Sequence, residues 1–181
     1  MTPVEIARSY LGTKWVHQGR ARHGLDCIGL LVKAFAAYGI RDVTDYSRDP
    51  SGGLLERHVR EQFGPAVAVG TRTRPVDRSL LQPGDVVLMA FPHVVRHVGI
   101  VGDHPSGGLS LIHTSSDAKR VGEQALADEL LRLVRFVHRA RQPVGSTVGG
   151  VTGLYLGGPY GGPLSPVVSS MGGGYSDGGH A

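Results

Sequence analysis

The stretch Leu25-Asp26-Cys27-Ile28-Gly29-Leu30-Leu31 contains the only cysteine of the chain. Asp26 is a residue type that opens helices, because its carboxylate accepts hydrogen bonds from backbone N–H groups of the first turn. Apolar residues then recur at helical spacing, and Gly39 is a residue type that ends helices. We therefore expect Cys27 in the first turn of a helix, where the helix dipole favours the nucleophilic thiolate.

Bulk composition narrows the class of protein. The 181 residues and the hydrophobic fraction of 40% suit one globular domain. A lone cysteine excludes an intrachain disulfide framework. No apolar run has the length of a membrane span, and the N-terminus lacks the pattern of a signal peptide. The net charge of +4 comes from scattered basic residues rather than a basic block, so no nucleic-acid partner is expected.

Hydrophobic periodicity predicts helices in the first part of the chain and strands in the second. The predicted helices are 2–11, 26–38, 54–63 and a short one within 123–131; the predicted strands are 86–91, 97–102, 109–114 and 133–139.

A composition change at Pro143 marks the predicted domain boundary. Residues 1–142 are expected to form the folded domain. Residues 143–181 are rich in Gly and Pro and cannot bury enough apolar surface to offset their ordering entropy. They are predicted to be either a disordered tail or an arm that becomes ordered on an assembly partner.

Two histidines complete a candidate catalytic group. A cysteine hydrolase needs a nucleophile, a base and a group that orients the base. His97 begins one predicted strand and His113 lies near the end of the next, and these positions adjoin in an antiparallel hairpin. The sequence thus predicts Cys27 as nucleophile, His97 as base and His113 as orienting group.

Five short motifs carry a family resemblance. In order along the chain they are LGTKW (11–15), LDCIGL (25–30), LQPGDV (81–86), RHVGIV (96–101) and LIH (111–113). Together they resemble the NlpC/P60 cysteine peptidases. The resemblance covers roughly residues 3–140 and implies a papain-like α+β fold, with N-terminal helices packed on a mostly antiparallel sheet.

The resemblance also implies an activity. Family members hydrolyse peptidoglycan stem peptides, usually between γ-D-glutamate and the diamino acid, through a thioester on the residue that matches Cys27. No cofactor or metal is implied. The pair His17-Gln18 and the segment 46–55 are similar to the branch found in tailed phages. That branch implies a tail or tail-tip peptidase of a virion or phage-like particle, made in the bacterial cytoplasm and acting at the host cell wall. Its partners would be stem peptides and tail proteins, the latter contacted through 143–181.

Two positions depart from the family pattern. Ile28 stands where the family usually has Ser, and Trp15 stands where it commonly has Tyr. An indole N–H donates but cannot accept a hydrogen bond. The oxyanion donor is therefore expected from His17 or from the backbone N–H of Cys27.

The loop before the nucleophile contains the remaining cleft candidates. Arg20 and Arg22 suit the carboxylates of stem peptides, because guanidinium groups bind carboxylates in a bidentate manner. Asp26 is expected to be structural. The full set of oxyanion or substrate-cleft candidates is Trp15, His17, Gln18, Arg20, Arg22 and Asp26.

Three other interpretations remain open. A zinc site at His93 and His97 needs a helix, which the surrounding sequence disfavours. The domain could be a structural tail-tip component with an inactive or occluded site. It could also be an amidase or acyltransferase on the same core, because these enzymes use the same nucleophile. The other histidines are expected on the surface, namely His23, His58, His104, His138 and His180.

Overall fold

An antiparallel sheet backed by helices forms the architecture of the protein. The structure is a computed structural model that describes residues 1–43, 46, 52–115 and 117–141. The helices are α1 (Pro3–Arg8), α2 (Cys27–Ala34), α3 (Leu54–Phe63) and α4 (Asp128–Leu131). The strands are β1 (Arg20–Ala21), β2 (Gly24–Leu25), β3 (Ala68–Val69), β4 (Val86–Ala90), β5 (Val95–Asp103), β6 (Leu109–Ser115), β7 (Arg120–Ala125) and β8 (Val134–His138).

The strands of the main sheet follow the order β3-β8-β4-β5-β6-β7. Every neighbouring pair in this sheet is antiparallel. Strands β1 and β2 form a separate antiparallel ribbon immediately before α2. The long central strands β5 and β6 therefore lie next to each other, and β7 extends the sheet on the far side of β6.

Both faces of the sheet are covered, as β4 shows most clearly. All five of its residues are buried, as expected of a strand in the middle of a two-sided core. Leu88 belongs to the core shared with α1, α2 and α3, whereas Met89 belongs to a second core that includes Leu131 of α4. The helices thus hold α2 against the face of the sheet that carries the candidate histidines.

Local sequence signals explain where the first two helices begin. The Thr2 side chain accepts a hydrogen bond from the Glu5 amide and Glu5 returns one to the Thr2 amide, so the predicted capping box opens α1. Asp26 caps α2 by accepting from the Gly29 amide at 2.8 Å. Gly29 has no room for a side chain, because a Cβ there would lie 2.0 Å from the Gly19 carbonyl oxygen. This close approach packs the loop before the nucleophile against the first turn of α2.

The LQPGDV motif (81–86) ends in a buried ion pair. Asp85 is fully buried, and both of its carboxylate oxygens accept hydrogen bonds from Arg139, at 2.7 and 2.8 Å. The Gln82 amide donates to the same carboxylate at 2.9 Å. These contacts join the turn before β4 to the residue that follows β8.

The predicted α+β fold with its antiparallel sheet is confirmed, and α3 has the predicted bounds. The predicted helix within 123–131 is wrong in its first part, because the chain continues β7 to Ala125 and only Asp128–Leu131 is helical. The helix predicted over 26–38 ends at Ala34 and is followed by a separate 3₁₀ turn, Ala36–Tyr38. Gly39 then closes the segment with the predicted left-handed backbone, at φ 74°.

One predicted surface histidine lies in the interior. His138 is 2% exposed, and its Nδ1 donates to the Gly64 carbonyl at 3.0 Å. The arm 143–181 and residues 47–51 lie outside the described residues, so the domain boundary stays a prediction. Across the described ranges we find no helix with the length and apolar character needed to cross a membrane.

Candidate active site

A cleft of about 650 Å³ contains the three predicted catalytic side chains. Cys27 comes from the first turn of α2, His97 from β5 and His113 from β6. The three elements are adjacent because α2 packs on β5 and β6 in the shared core. The structure therefore brings together residues that are up to 86 positions apart, from Cys27 to His113.

The two histidines contact each other directly. His97 Nε2 lies 2.9 Å from His113 Nδ1, and the rings meet edge to face with their centroids 5.1 Å apart. The sheet leaves room for this contact: His113 pairs with Gly122 on β7, and a Cβ on Gly99 of β5 would come within 3.4 Å of the His113 Cβ. Flanking glycines thus let the His113 ring lie across the sheet surface.

The second nitrogen of His113 also has a partner. His113 Nε2 lies 2.9 Å from the Gln124 amide nitrogen. Gln124 belongs to β7, within the segment for which the sequence predicted a helix, so sequence reasoning missed it. Recognising β7 as a strand would have placed Gln124 diagonally across from His113.

Burial keeps both imidazoles neutral. It lowers the pKa of His97 to about 3, and the neighbouring His113 acts in the same direction. Burial also lowers the pKa of His113. Near neutral pH, each ring therefore has one protonated and one unprotonated nitrogen.

The thiol is neutral as well, which corrects the expectation of a dipole-stabilised thiolate. Burial, followed by the negative charge of Asp26, raises the pKa of Cys27 to about 12. Hydrogen bonding from the backbone amide of Val98 acts in the opposite direction and is outweighed. The resting site holds a thiol and a neutral imidazole, so proton transfer must accompany nucleophilic attack.

Asp26 lies behind the nucleophile at 4% exposure and is saturated with donors. Besides the Gly29 amide, it accepts from the Gln18 amide at 2.8 Å and from Arg20 at 3.1 Å. The Tyr46 hydroxyl donates to the same carboxylate. We call these residues, namely Asp26, Gly29, Gln18, Arg20 and Tyr46, the Asp26 cluster. Its contacts agree with the predicted structural role of Asp26 and fix the loop that precedes Cys27.

The two arginines predicted to contact substrate lie elsewhere. Arg20 donates to Asp42 at 2.7 Å and to the Val43 carbonyl at 2.8 Å, in addition to its bond to Asp26. The Arg22 guanidinium lies over the Tyr10 ring at 4.9 Å. Neither arginine lines the cleft.

Of the other loop candidates, Trp15, His17 and Asp26 line the cleft, whereas Gln18 does not. Gln18 instead bonds the Tyr46 carbonyl through its side-chain amide at 2.9 Å. The sequence had not singled out Phe91, which lines the cleft with its ring 6.2 Å from that of His97. An apolar wall adjoins the catalytic group and includes Ile28, Leu31, Val32, Leu55 and Val59.

His93 is not part of a metal centre in the part of the chain that the structure describes. There, no three His, Cys, Asp or Glu side chains come together as a metal site requires.

A papain-like fold with cysteine and two histidines in one cleft defines the class of protein. The sequence model of the NlpC/P60 family matches residues 12–137, and the chain belongs to the NlpC/P60 family. The comparison with curated protein sequences gives no significant match.

Solved structures share the fold. The NlpC/P60 domain of the peptidoglycan hydrolase SagA superposes with a TM-score of 0.50 at 19% identity, over 76% of this chain and 95% of that chain. An NlpC/P60 family protein from Bacillus cereus gives a TM-score of 0.52 at 20% identity, over 76% of this chain and 39% of that chain. NlpC1 from Trichomonas vaginalis gives 0.54 at 18% identity, with 76% and 42% covered. The chain thus spans about two fifths of the length of the latter two proteins.

Proposed function

We propose that the protein is a cysteine peptidase that hydrolyses peptidoglycan stem peptides. The observation that carries the proposal is the placement of Cys27, His97 and His113 in one cleft, with the two imidazoles in contact at 2.9 Å. Membership of the NlpC/P60 family supports it, as does the fold shared with a domain of the peptidoglycan hydrolase SagA.

The chemistry begins with attack on the scissile amide. Cys27 Sγ forms a bond to the carbonyl carbon while its proton passes to His97. The accepting atom is His97 Nδ1, because Nε2 faces His113. The oxyanion that develops is stabilised by the backbone N–H of Cys27 or by His17.

Collapse of the tetrahedral intermediate breaks the C–N bond. His97 returns the proton to the departing amine, which leaves a thioester on Cys27. Water then attacks the thioester and gives its proton to His97. Release of the carboxylic product restores the thiol, so atoms and charges balance without a metal or cofactor.

The bond attacked would be that between γ-D-glutamate and the diamino acid, as the family resemblance implies. We further propose that the enzyme acts from the tail of a virion or phage-like particle assembled in the bacterial cytoplasm. This rests on the similarity of His17-Gln18 and of the segment 46–55 to the phage branch. In that setting 143–181 would contact tail proteins.

The test uses purified full-length protein and defined peptidoglycan fragments. New amine termini are followed by mass spectrometry, with Cys27→Ala as the inactive control. Cleavage at the γ-D-glutamyl bond that is lost in Cys27→Ala supports the peptidase. Transfer of the acyl group to an added amine or alcohol would instead identify an acyltransferase. No acyl-enzyme and no turnover with any fragment would contradict both and favour the structural role.

A tail role makes a separate prediction about residues 143–181. Deleting them should abolish incorporation into particles while cleavage of fragments continues. Incorporation that is unaffected by the deletion would contradict the assignment of 143–181 as the contact.

A further inference from the structure

We propose that Gln124 is a positioning residue that sets the proton positions on His113 and His97, by accepting a hydrogen bond from His113 Nε2–H through its side-chain oxygen. This inference rests on the proposed function of Cys27 and His97. It adds a fourth member to the catalytic group, on a strand that none of the other three occupies.

The four side chains include a line that crosses three strands. His97 on β5, His113 on β6 and Gln124 on β7 are linked by contacts of 2.9 Å at each step. The residues directly beside His113 on the neighbouring strands are glycines, Gly99 and Gly122. The diagonal neighbours therefore reach the ring without obstruction, and Gln124 also lines the cleft.

Gln124 is the β7 side chain that is available for this contact. Its neighbour Glu123 bonds Arg8 at 2.7 Å and the Ser110 hydroxyl at 2.6 Å. Side chains alternate between the two faces of a strand, so Glu123 lies on the opposite face from His113. The charge of Glu123 is thereby kept away from the two neutral imidazoles.

The hydrogen-bond chain has two possible directions. If the Gln124 nitrogen donates to His113 Nε2, the His113 proton sits on Nδ1 and points at His97 Nε2. His97 must then carry its own proton on Nδ1, and it cannot accept another from Cys27.

The opposite direction is the productive one. A half-turn of the Gln124 amide places its oxygen beside His113 Nε2, which then carries the proton. His113 Nδ1 becomes an acceptor for His97 Nε2–H, and His97 Nδ1 is free to take the thiol proton. The chemistry of Cys27 therefore requires that Gln124 accept.

An amide suits this role better than a carboxylate. It orients His113 without adding a charge that would hold a proton on the ring. The proton taken from Cys27 thus remains on His97, from which it can pass to the leaving amine.

The experiment compares full-length variants that differ in what position 124 can do. Gln124→Glu can only accept, Gln124→Lys can only donate, and Gln124→Leu can do neither. Arg120→Gln is the matched control, because Arg120 is exposed on the same face of β7. Thermal melting verifies that each variant is folded.

Nitrogen-15 NMR of labelled histidines reads the protonated ring nitrogens directly. We expect protons on Nε2 of both His97 and His113 in the unsubstituted protein, in Gln124→Glu and in Arg120→Gln. Gln124→Lys should move them to Nδ1, and Gln124→Leu should give a mixture. This readout needs no substrate, so it stands even if the peptidoglycan assignment fails.

Kinetics on the cleaved fragment supply the second readout. We expect kcat to fall at least about tenfold in Gln124→Leu and Gln124→Lys with KM nearly unchanged, because an unproductive tautomer removes base catalysis. Gln124→Glu should stay within about threefold of the unsubstituted enzyme. Identical tautomers in all variants, or equal kcat values for Gln124→Glu and Gln124→Lys, would overturn the inference.

Discussion

The Asp26 cluster and the histidine pair lie on either side of Cys27 and use polar groups in opposite ways. Asp26 is ionised, 4% exposed and bound by four donors, one of them the Arg20 guanidinium. His97 and His113 are neutral, and each contact between them is a single hydrogen bond. Charge at the first site fixes the backbone, whereas neutrality at the second leaves a proton free to move.

The largest effect is expected from removing the base. His97→Gln keeps a polar side chain on β5 but cannot accept and return a proton, so kcat should fall about 10³-fold. The measurement is turnover of a defined stem-peptide fragment. A fall of less than about tenfold would mean that another group takes the Cys27 proton, and it would remove the functional side of the comparison.

Removing charge from the Asp26 cluster should affect stability most. Asp26→Ala leaves the backbone amides of Gln18 and Gly29 and one Arg20 contact unsatisfied in a buried site. We expect the free energy of unfolding to fall by about 3 kcal/mol, measured by urea denaturation.

Asp42 gives the matched control for this experiment. It binds the same Arg20 at 2.7 Å, but its side chain is 35% exposed. Exposed pairs contribute little, so Asp42→Ala should cost less than about 1 kcal/mol. Equal losses in the two variants would show that the cluster depends on Arg20 rather than on the buried carboxylate.

Much of the fold could be predicted from local signals. Asp26 and Thr2 are cap residues with the predicted side-chain contacts, and α3 follows its apolar spacing at Leu55, Val59 and Phe63. The adjacency of His97 and His113 followed from hairpin geometry alone. Signals of this kind act over a few residues, and the sequence displays them directly.

The rest depends on contacts between distant segments. The segment 120–125 has no apolar alternation strong enough to indicate a strand, and it is one because it pairs with β6. Gln124 was missed for that reason. The Cys27 pKa was wrong in sign because burial and the Asp26 charge together outweigh the helix dipole, and burial depends on the packed core.

The reactivity of Cys27 tests whether the two regions influence each other. With its pKa raised to about 12, the thiolate fraction is low, although the thiolate present is more nucleophilic. Together these effects should slow alkylation by iodoacetamide at pH 7 roughly 50-fold relative to a free thiol. The chain has one cysteine, so mass spectrometry reports this site alone.

The same assay can separate burial from charge. Asp26→Asn removes the charge next to Cys27 and should speed alkylation about threefold, because the charge is the smaller of the two causes. Asp42→Asn is the control and should leave the rate unchanged. Rapid alkylation of the unsubstituted protein that is independent of pH between about 6 and 8 would instead reveal a stable thiolate.

The smallest effect concerns acid stability. The pKa of His97 is lowered to about 3, whereas in the unfolded chain it is about 6.5. The unfolded state therefore binds protons first, and the stability due to neutral His97 is complete above about pH 6.5 and is lost as the pH falls toward 3. At pH 5 the loss should be about 2 kcal/mol. Urea denaturation at pH 7 and pH 5 should show a drop smaller by this amount in His97→Gln, while an equal drop in both proteins would show that His97 is protonated in the folded state.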